Sequence, residues 1–469
     1  MPHANTYPVV GTIRLIEKGT PDLKRNEHTI VLNDALAINT NLIEQYFCTA
    51  STSLAQDLMT VVGITKYADR NITRHHASGW GRSLNIEVPV FDVELWSSIA
   101  VQQALTDCLN YLTGDEWRFN FTPREKGAKL SGQLSAPLSL TGPYIFIPYS
   151  HGLDSYAQLR ILKQKEPSAR IVCVYTDTRG GDRTWKQFCQ KNRNSDFHTI
   201  PVPVSINTLQ HGEQSFRTRP FTYYLLAAYG AILHADSRVL IPENGQGSLG
   251  GSLVTLGSEA PHRSCHPGFT QRLTKFIYEL TNRKVNFLHP ALFQTKGEVL
   301  SALYSVEPSP DGWLRDHWSC SHDHRHASVN GVRMHCGVCG NCILRRVSIK
   351  AARLPTHESY KYSNLSAATL SEAIIGDNQT QHNIRAFEDL ARNSIRSMNR
   401  LAKLAALPDA DIVWAEAATL ARYQKQDAST IHAHLMSLLK QHRTEWHQFL
   451  SDFSDNAWIK TTIRGQNGD

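Results

Sequence analysis

From residue 143 onward, short apolar runs alternate with helical stretches, and this alternation restricts the fold more than any other feature of the sequence. Four runs stand out, namely YIFIPYS, RIVCVYTDT, PVPVSI and RVLIPEN, and the segments DSYAQLRILKQ and FTYYLLAAYGAILHAD between them have helical character. Strands that alternate with helices at this spacing are typical of an α/β fold with a doubly wound parallel sheet. Ligands of such sheets bind at the carboxyl ends of the strands, so the loops after YIFIP, IVCVY and VLIP are expected to face one crevice.

Three regions of the chain differ in pattern, as expected for 469 residues, a length beyond the usual reach of one hydrophobic core. Residues 1–135 alternate short apolar runs with turn-forming residues, which predicts a mixed or strand-rich N-terminal domain. Residues 143–355 carry the α/β pattern. Residues 360–469 place apolar residues at helical intervals, which predicts a helical C-terminal extension to which we assign no chemistry.

One stretch of the N-terminal region concentrates cationic and aromatic side chains, and it contains Arg70, Arg74, His75, His76, Trp80 and Arg82. These groups could line a ligand surface. No spacing rule connects them, so a polar loop that leads into a strand is the favoured interpretation.

Composition and charge narrow the expected compartment and ligands. The N-terminus MPHANTYPVV lacks an export signal, and no window holds the roughly 18 uninterrupted apolar residues of a membrane span. We therefore expect a cytoplasmic protein without a membrane partner. The formal charge of +7 is spread along the chain, which weakly favours anionic ligands such as nucleotides and makes direct nucleic-acid binding an unfavoured interpretation.

Four of the nine cysteines are grouped in a metal-binding pattern. Fifteen residues separate Cys320 from the run Cys336-Gly-Val-Cys339-Gly-Asn-Cys342. Four thiolates at this spacing can surround one ion tetrahedrally, which predicts a structural Zn²⁺ site. The Cys-Pro spacing of bacterial ferredoxins is missing, so zinc is preferred over an iron–sulfur cluster. Four histidines lie between or beside these cysteines, and one of them could replace a thiolate, although four thiolates already close the site: His322, His324, His326 and His335.

A candidate anion-binding loop follows the first strand of the α/β region. It reads Ser150-His151-Gly152-Leu153-Asp154-Ser155 and opens a helix. Backbone N–H groups, two hydroxyls and the positive end of a helix dipole favour a bound anion at such a loop. The spacing and the lysine of a Walker A loop are missing. An ordinary capped helix start, which also favours Asp and Ser, is the alternative interpretation.

Asp177 lies at the end of the second strand of this region. Its carboxylate suits an adenine amino group or a ribose hydroxyl. A polar residue that simply ends a strand is nearly as good an interpretation.

The loop resembles the S-G-G-x-D-S pyrophosphate loop of PP-loop ATPases, which cleave ATP between the α and β phosphates. Ser150, Gly152, Asp154 and Ser155 match this motif, while His151 replaces its first glycine. The resemblance implies a PP-loop, HUP-like fold. It also implies that residues 150–155 and Asp177 bind ATP, with Mg²⁺ as a further cofactor.

Residues 143–350 further resemble the 7-cyano-7-deazaguanine synthases, the QueC-like family. The four cysteines, Arg219 at the start of an Ala-rich helix, Glu243-Asn244 after the next strand, and Gln294-Thr295-Lys296-Gly297-Glu298 carry the resemblance. Pro220 and the segment Gly245–Gly251 depart from the family pattern. With the added N- and C-terminal regions, the chain is similar to divergent members from bacterial anti-phage operons, such as those of the Qat system and type IV CBASS.

This resemblance implies an ATP-dependent ligase that adenylates 7-carboxy-7-deazaguanine or a similar deazapurine. The activated carboxylate then becomes an amide or nitrile, or is transferred to an amine of a protein partner from the same defence operon. The implied catalytic residues are Ser150, Asp154, Ser155, Arg219 and Lys296, of which Arg219 or Lys296 would hold the substrate carboxylate or the α phosphate.

Two other functions are consistent with the sequence. A PP-loop enzyme that thiolates tRNA, or another adenylating enzyme, would need a persulfide-bearing cysteine, and Cys173, Cys189 and Cys265 have no recognisable context for that role. A nucleotide-binding scaffold of a defence complex is the other alternative, and His151 is the residue that best supports it.

Overall fold

The fold was analysed in a computed structural model of the chain. The structure describes residues 9–40, 42, 52–75, 79–125, 143–150, 152–175, 190, 197–206, 212–213, 215–255, 259–321, 328–329, 332–355, 358–375 and 381–465. Packing divides the chain into two compact units. Unit 1 consists of Met1–Ser150, Ser168–Ile241 and Gly257–Pro290, and unit 2 consists of His151–Pro167, Pro242–Leu256 and Ala291–Asp469. The units group segments by packing, so the three sequence domains stay a prediction.

The N-terminal part of unit 1 contains six strands: β1 (Val9–Ile16), β2 (Asp22–Lys24), β3 (Glu27–Val31), β4 (Leu36–Ile38), β5 (Arg82–Val90) and β6 (Glu116–Pro123). Five of them form one sheet in the order β2-β3-β1-β5-β6, in which β2 is antiparallel to β3 and the other pairs are parallel. Ile13 and Leu15 of β1 are buried while Arg14 between them is exposed, because successive side chains of a strand point to opposite faces.

Three helices accompany this sheet in the sequence: α1 (Ser53–Asn71), α2 (Val93–Ser97) and α3 (Ile99–Thr113). The Thr52 hydroxyl accepts a hydrogen bond from Ala55 N at 3.1 Å and caps α1. Helix α3 ends at Gly114, whose φ is +73° and where an added Cβ would lie 2.3 Å from the Ala260 side chain. Only glycine satisfies both conditions. This part of the chain is therefore mixed α/β, within the range that the sequence predicted.

Two arginines and two aspartates form a buried ion-pair network in unit 1. The side chains of Asp69, Arg74, Arg82 and Asp115 have no exposed surface. The Nη2 atom of Arg82 lies 2.7 Å from both Asp69 Oδ1 and Asp115 Oδ2. Burial alone would raise the pKa of Asp69, but the nearby guanidinium groups of Arg82 and Arg74 lower it below its usual value. Arg74 and Arg82 therefore do not line a ligand surface. Arg74 lies in a loop segment before β5, as the favoured interpretation had it, but its side chain is buried and paired.

Replacing Asp115 with asparagine is expected to lower the free energy of unfolding by about 3–5 kcal/mol, since two buried guanidinium groups then share one carboxylate. Urea denaturation measures this change. The matched control is Glu87→Gln in strand β5. Glu87 pairs with Arg14, which is half exposed, so this variant is expected to lose less than about 1 kcal/mol of unfolding free energy. Equal losses in the two variants would contradict a structural role of the buried network.

A second sheet of unit 1 is entirely parallel. The next strands along the chain are β7 (Tyr144–Tyr149), β8 (Arg170–Tyr175), β9 (Phe197–Pro201), β10 (Val204–Ile206), β11 (Arg238–Leu240) and β12 (Phe287–Leu288). The sheet has the order β12-β11-β7-β8-β9, and each neighbouring pair is parallel. All six residues of β7 are buried, as expected for a central strand covered on both faces. The predicted parallel sheet is thus confirmed.

The strand predicted from PVPVSI differs from the structure. The third strand of the parallel sheet is β9, which ends at Pro201, whereas β10 pairs antiparallel with β4. Proline has no backbone N–H to continue a hydrogen-bond ladder, and Pro201 and Pro203 lie where β9 ends and just before β10 begins. Strand β12 was not predicted, because its two residues are too few to show a period.

Unit 1 also holds the helices α5 (Arg219–Leu233) and α7 (Pro267–Thr281). Unit 2 holds α4 (Leu153–Lys165), α6 (Gly245–Leu253), α8 (Lys296–Val306), α9 (Pro310–Asp316), α10 (Gly340–Ala351), α11 (Gln381–Leu404), α12 (Asp411–Gln424), α13 (Ala428–Leu450) and α14 (Trp458–Arg464). It also contains a short hairpin, β13 (Ser328–Val329) with β14 (Val332–Arg333), and a 3₁₀ helix, Ser371–Ala373. Helices α11 to α14 confirm the predicted helical C-terminal region. Within the described ranges, no helix is both long enough and apolar enough to cross a membrane.

Candidate functional site

Four cysteines of unit 2 converge on one point. The Sγ atoms of Cys320, Cys336, Cys339 and Cys342 all lie within 4.8 Å of one another, and all four residues are buried. The Sγ atoms of Cys336 and Cys342 are 3.8 Å apart. A tetrahedral ion with Zn–S bonds of about 2.3 Å separates its sulfur ligands by about 3.8 Å. The cluster can therefore hold a metal ion such as zinc.

The backbone around Cys336 prepares this site. The N–H groups of Val338 and Cys339 donate to Cys336 Sγ at 3.5 and 3.3 Å, which stabilises negative charge on the sulfur. Gly337 has a φ of +92°, and an added Cβ would lie 2.8 Å from the Tyr362 carbonyl oxygen. Glycine is therefore required between the two cysteines.

The start of helix α10 contributes the other two thiols of the run. Cys339 directly precedes the helix and Cys342 lies in its first turn, where the helix dipole favours negative charge. Hydrogen bonds from the neighbouring thiols, with Cys320 as the largest contributor, lower the pKa of Cys339 below its usual value. A thiolate, the form that binds zinc, is thus favoured at this position.

A buried arginine ties the Cys320 segment to helix α10. Arg345 has no exposed side-chain surface and pairs with Glu358. Its Nη1 group donates to Ser319 Oγ and to the His317 carbonyl oxygen, both at 3.0 Å. The Ser319 N–H donates in turn to His335 Nε2 at 3.1 Å, so His335 holds the loop and the four thiols form the metal group. The histidines at 322, 324 and 326 lie outside the described residues.

A second polar site of unit 2, the carboxylate–lysine cluster, consists of Asp154, Glu243, Asn244 and Lys296. Lys296 Nζ forms an ion pair with Asp154 Oδ2. Asn244 Nδ2 donates to Asp154 Oδ1 at 2.9 Å and to Glu243 Oε1 at 2.8 Å. Asp154 lies in the first turn of α4, Asn244 precedes α6, and Lys296 begins α8. Three sequence motifs that are far apart in the chain therefore meet at the starts of three helices.

Electrostatics sets the protonation of this cluster. Burial of its carboxyl group and then the charge of Asp154 raise the pKa of Glu243 to about 8, although the residue as a whole keeps some exposed surface. At neutral pH Glu243 therefore carries a proton, while Asp154 and Lys296 form the charged pair. Binding of a cation between the two carboxylates would release the Glu243 proton.

Two glycines allow close packing around the start of α6. An added Cβ at Gly247 would lie 2.4 Å from Glu243 Oε1, and one at Gly245 would lie 2.4 Å from the Leu292 carbonyl oxygen. Asn244 Oδ1 accepts from Gly247 N at 3.0 Å and caps the helix. Glycine at positions 245 and 247 thus has a steric reason in this chain.

The C-terminal helix α13 positions Lys296 through a chain of hydrogen bonds. Gln246 Oε1 accepts from Lys296 N at 2.7 Å, and Gln246 Nε2 donates to His442 Nδ1 at 2.8 Å. His442 Nε2 lies 2.9 Å from the Met398 carbonyl oxygen, so the imidazole is neutral with its proton on Nε2. Burial lowers the pKa of His442 to about 4. The helical C-terminal extension, to which the sequence analysis assigned no chemistry, therefore helps to position Lys296 of the carboxylate–lysine cluster.

Glu445 makes a second contact from α13. The Thr295 hydroxyl donates to Glu445 Oε1, and an added Cβ at Gly297 would lie 2.6 Å from the same oxygen. Burial raises the pKa of Glu445 to about 7. His442 and Glu445 were missed in the sequence. Polar residues on the otherwise apolar face of a helix are the signal that points to such buried partners.

Replacing His442 with glutamine is expected to flatten the acid side of the stability profile. An unfolded histidine has a pKa near 6.5, and the folded one has a pKa of about 4, so only the unfolded chain takes up this proton between these values. The contribution of the neutral His442 to the free energy of unfolding is complete above pH 6.5 and falls by up to about 1.4 kcal/mol per pH unit as the pH drops. Urea denaturation from pH 7 to 4 gives the free energy of unfolding of the unaltered protein and of the variant. The other buried histidines contribute equally to both proteins, so the difference between the two curves reports His442. Parallel curves would contradict a neutral His442.

The remaining predicted site residues lie as follows. Leu153 is fully buried and packs with Ala157 and Val299 in an apolar cluster, so only its backbone is available to a ligand. Ser155 is buried, and Gly152 precedes α4, which has no side-chain cap. Ser150 follows β7 in unit 1.

Two predicted residues, His151 and Asp177, lie outside the described residues. Arg219 is the first residue of α5 in unit 1, with its guanidinium 5.8 Å from the Tyr223 ring centre. Among the predicted catalytic residues, the structure thus brings Asp154 and Lys296 together.

Comparison of the chain with protein-family models gives no match, and comparison with the curated proteins gives none either.

Proposed function

We propose that this protein is an ATP-dependent adenylating enzyme of the PP-loop type, which activates the carboxylate of 7-carboxy-7-deazaguanine or a similar deazapurine. The observation that carries the proposal is the carboxylate–lysine cluster. Asp154 of the loop motif, Glu243-Asn244 and Lys296 were each singled out by resemblance, and their side chains lie in direct contact although 90 and 142 residues separate Asp154 from Asn244 and Lys296.

The strand order of the parallel sheet in unit 1 is of a kind that binds nucleotides. Numbered by their sequence within the sheet, the five parallel strands have the order 3-2-1-4-5, in which the direction of winding reverses between β7 and β11. Ligands of open α/β sheets bind at such a reversal. The segments that follow β7 and β11 in the chain carry Asp154 and Glu243-Asn244. In this proposal Ser150, Ser155 and the loop backbone hold the pyrophosphate of ATP.

Mg²⁺ fits the two carboxylates of the cluster. Magnesium in proteins is usually bound by one or two carboxylates together with substrate phosphates, and it neutralises the charge of those phosphates. Asp154 and Glu243 would supply these ligands. Their shared contact with Asn244 Nδ2 holds them on the same side of the α6 start.

The proposed reaction makes a poor electrophile reactive. A carboxylate oxygen attacks the α phosphorus of ATP, the bond to the β,γ-pyrophosphate breaks, and an acyl adenylate forms. An amine nitrogen then attacks the acyl carbon, AMP leaves with the bonding electron pair, and an amide results. Lys296 or Arg219 would hold the substrate carboxylate or the α phosphate as charge develops. The amine is that of ammonia or of a partner protein encoded in the same anti-phage operon.

Zinc has a structural role in this proposal. Four thiolates fill a tetrahedral ion, so no coordination position stays open to activate water. Cys320 together with Cys336, Cys339 and Cys342 would hold the ion, which would tie the Cys320 segment to helix α10 within unit 2.

The two alternatives have weaker support. A sulfur-transfer enzyme needs a reactive thiol. Among the described cysteines outside the metal cluster, Cys108 and Cys173 are fully buried, which raises their pKa, and Cys265 is half-buried. A nucleotide-binding scaffold would have no use for the Lys296–Asp154 pair that α13 positions. Both alternatives remain open to test.

The products formed from ATP distinguish these functions. With ATP, Mg²⁺, 7-carboxy-7-deazaguanine and ammonium as the amine, the proposed enzyme releases pyrophosphate and AMP. A thiolase requires tRNA and a sulfur donor, and a scaffold releases neither product. Mass spectrometry of co-expressed operon neighbours then identifies the acceptor, because a protein conjugate gains the mass of the deazaguanine acyl group. Absence of AMP with every carboxylate tested would reject the proposal.

A further inference from the structure

A group of three cations in unit 1 is not used by the buried ion-pair network. Lys66 and Arg70 lie one turn apart on α1, and Arg219 begins α5. We call these residues the cation cluster. All three keep part of their surface exposed, so a ligand in solution can reach them.

Asp69 fixes the two helices of this cluster against each other. It lies between Lys66 and Arg70 on α1, and its Oδ2 atom accepts hydrogen bonds from the Thr218 N–H at 2.8 Å and the Thr218 hydroxyl at 3.0 Å. Thr218 directly precedes Arg219. The hydrogen bonds of Asp69 therefore hold helix α1, with Lys66 and Arg70, against the start of α5, with Arg219.

The nearby carboxylates are engaged elsewhere. Asp69 pairs with Arg82 and Arg74, while Glu213 accepts hydrogen bonds from the backbone N–H groups of Arg74 and Ser215, both at 2.8 Å. Within the described residues, neither Lys66 nor Arg219 makes an ion pair.

The third cation is also incompletely paired. The Nε atom of Arg70 is buried without a hydrogen-bond partner in the described part of the chain, and its guanidinium lies 5.0 Å from the Phe216 ring centre. Burial, with added repulsion from Arg70 and Arg219, lowers the pKa of Lys66 to about 8. Burial lowers the pKa of Arg70 below its usual value although Asp69 and Glu213 attract it. Desolvation and mutual repulsion of these cations raise the free energy of the folded chain.

We propose that Lys66, Arg70 and Arg219 together bind one anionic group, a phosphate or a carboxylate, of a small-molecule ligand. An anion would relieve the repulsion and satisfy the donors that the fold leaves without a carboxylate. Helix α5 adds the positive end of its dipole, because the Thr218 side chain contacts Asp69 and does not cap the helix. The N-terminal region thereby gains a role in ligand binding.

This inference rests on the proposed function only for Arg219, which is there one of two candidates, with Lys296, to hold the substrate carboxylate or the α phosphate. Binding of inorganic phosphate tests it without ATP turnover. In a chloride-free, low-salt buffer, phosphate is expected to raise the melting temperature of the unaltered protein and to slow acetylation of Lys66, as followed by mass spectrometry. Loss of one charged hydrogen bond corresponds to about ten- to a hundredfold weaker binding, so Lys66→Met and Arg70→Met should raise the phosphate Kd by that factor.

Three comparisons decide the outcome. Lys66→Arg should keep phosphate binding, and Lys275→Met, which removes an exposed lysine of α7, should leave it unchanged. Without phosphate, Lys66→Met should be at least as stable as the unaltered protein, since it removes a cation from a repulsive group. The inference is wrong if Lys66→Met lowers the stability of the protein without phosphate. It is also wrong if phosphate raises the melting temperature of Lys66→Met as much as that of the unaltered protein, since the anion is then an adventitious ion only.

Acetylation of Lys66 in the presence of two different ligands identifies which molecule supplies the anion. Protection of Lys66 by AMP assigns the cluster to the α phosphate, whereas protection by 7-carboxy-7-deazaguanine assigns it to the substrate carboxylate. Protection by phosphate in a protein that forms no AMP would keep this site and reject adenylation. If the protein forms AMP but Lys66→Met changes neither phosphate binding nor the KM of either substrate, adenylation is kept and this anion site is rejected.

Discussion

Replacing Cys339 with serine is expected to abolish zinc binding and to unfold the part of unit 2 around the metal. Structural zinc contributes about 10–16 kcal/mol of apparent binding free energy, which is comparable to the roughly 5–15 kcal/mol net stability of a typical protein. The four thiols are buried together with the apolar residues that surround them, so their loss also exposes that core. Metal analysis by mass spectrometry and thermal unfolding measure the two effects.

The matched control is Cys265→Ser, which removes a half-buried thiol of unit 1 outside the metal group. It is expected to keep one zinc ion per chain and a nearly unchanged melting temperature. A purified protein without zinc, or a Cys339→Ser variant with full zinc content, would refute the metal site.

The second large effect is expected at the loop that opens α4. Asp154→Ala and Ser155→Ala should each lower the rate of AMP formation by about a hundred- to a thousandfold, the usual loss when one preorganised group at a developing charge is removed. Asp154→Ala also leaves Lys296 without its ion-pair partner. Both variants should keep their zinc, because the metal ligands lie on other segments of unit 2.

Lys165→Met provides the control for these variants, since it removes an exposed charge at the far end of the same helix. Its rate of AMP formation should stay within about twofold of the unaltered protein, as surface changes rarely act at a distance. If both loop variants retain normal defence activity in cells, the loop has no catalytic role.

Local patterns explain which parts of the fold could be predicted. Strands β7 and β8 are runs of buried apolar residues bounded by turns, and the four cysteines are recognisable from their spacing alone. Strand β9, by contrast, begins with Phe197-His198-Thr199, which has neither a continuous apolar run nor a clear alternation. Its pairing with β8 depends on a tertiary contact that its own sequence does not encode.

The candidate site could be predicted only in part, for the same reason. Asp154 and Lys296 were identified one by one through resemblance, but their contact joins segments 142 residues apart. The supporting residues Gln246 and His442 are 196 residues apart and belong to no motif. Arg74 shows the reverse case. Its neighbours in the sequence suggested a loop surface, and a buried partner from a distant strand end, Asp115, decides its role.

The central claim is that the carboxylate–lysine cluster serves adenylation of a carboxylate. The most direct measurement is release of AMP from α-labelled ATP in the presence of ammonium, with and without 7-carboxy-7-deazaguanine, by the unaltered protein and by the Asp154→Ala variant. The account predicts substrate-dependent AMP formation that the variant loses while it keeps its zinc. AMP formation that is the same in both proteins, or none in a zinc-loaded and folded unaltered protein, would contradict it.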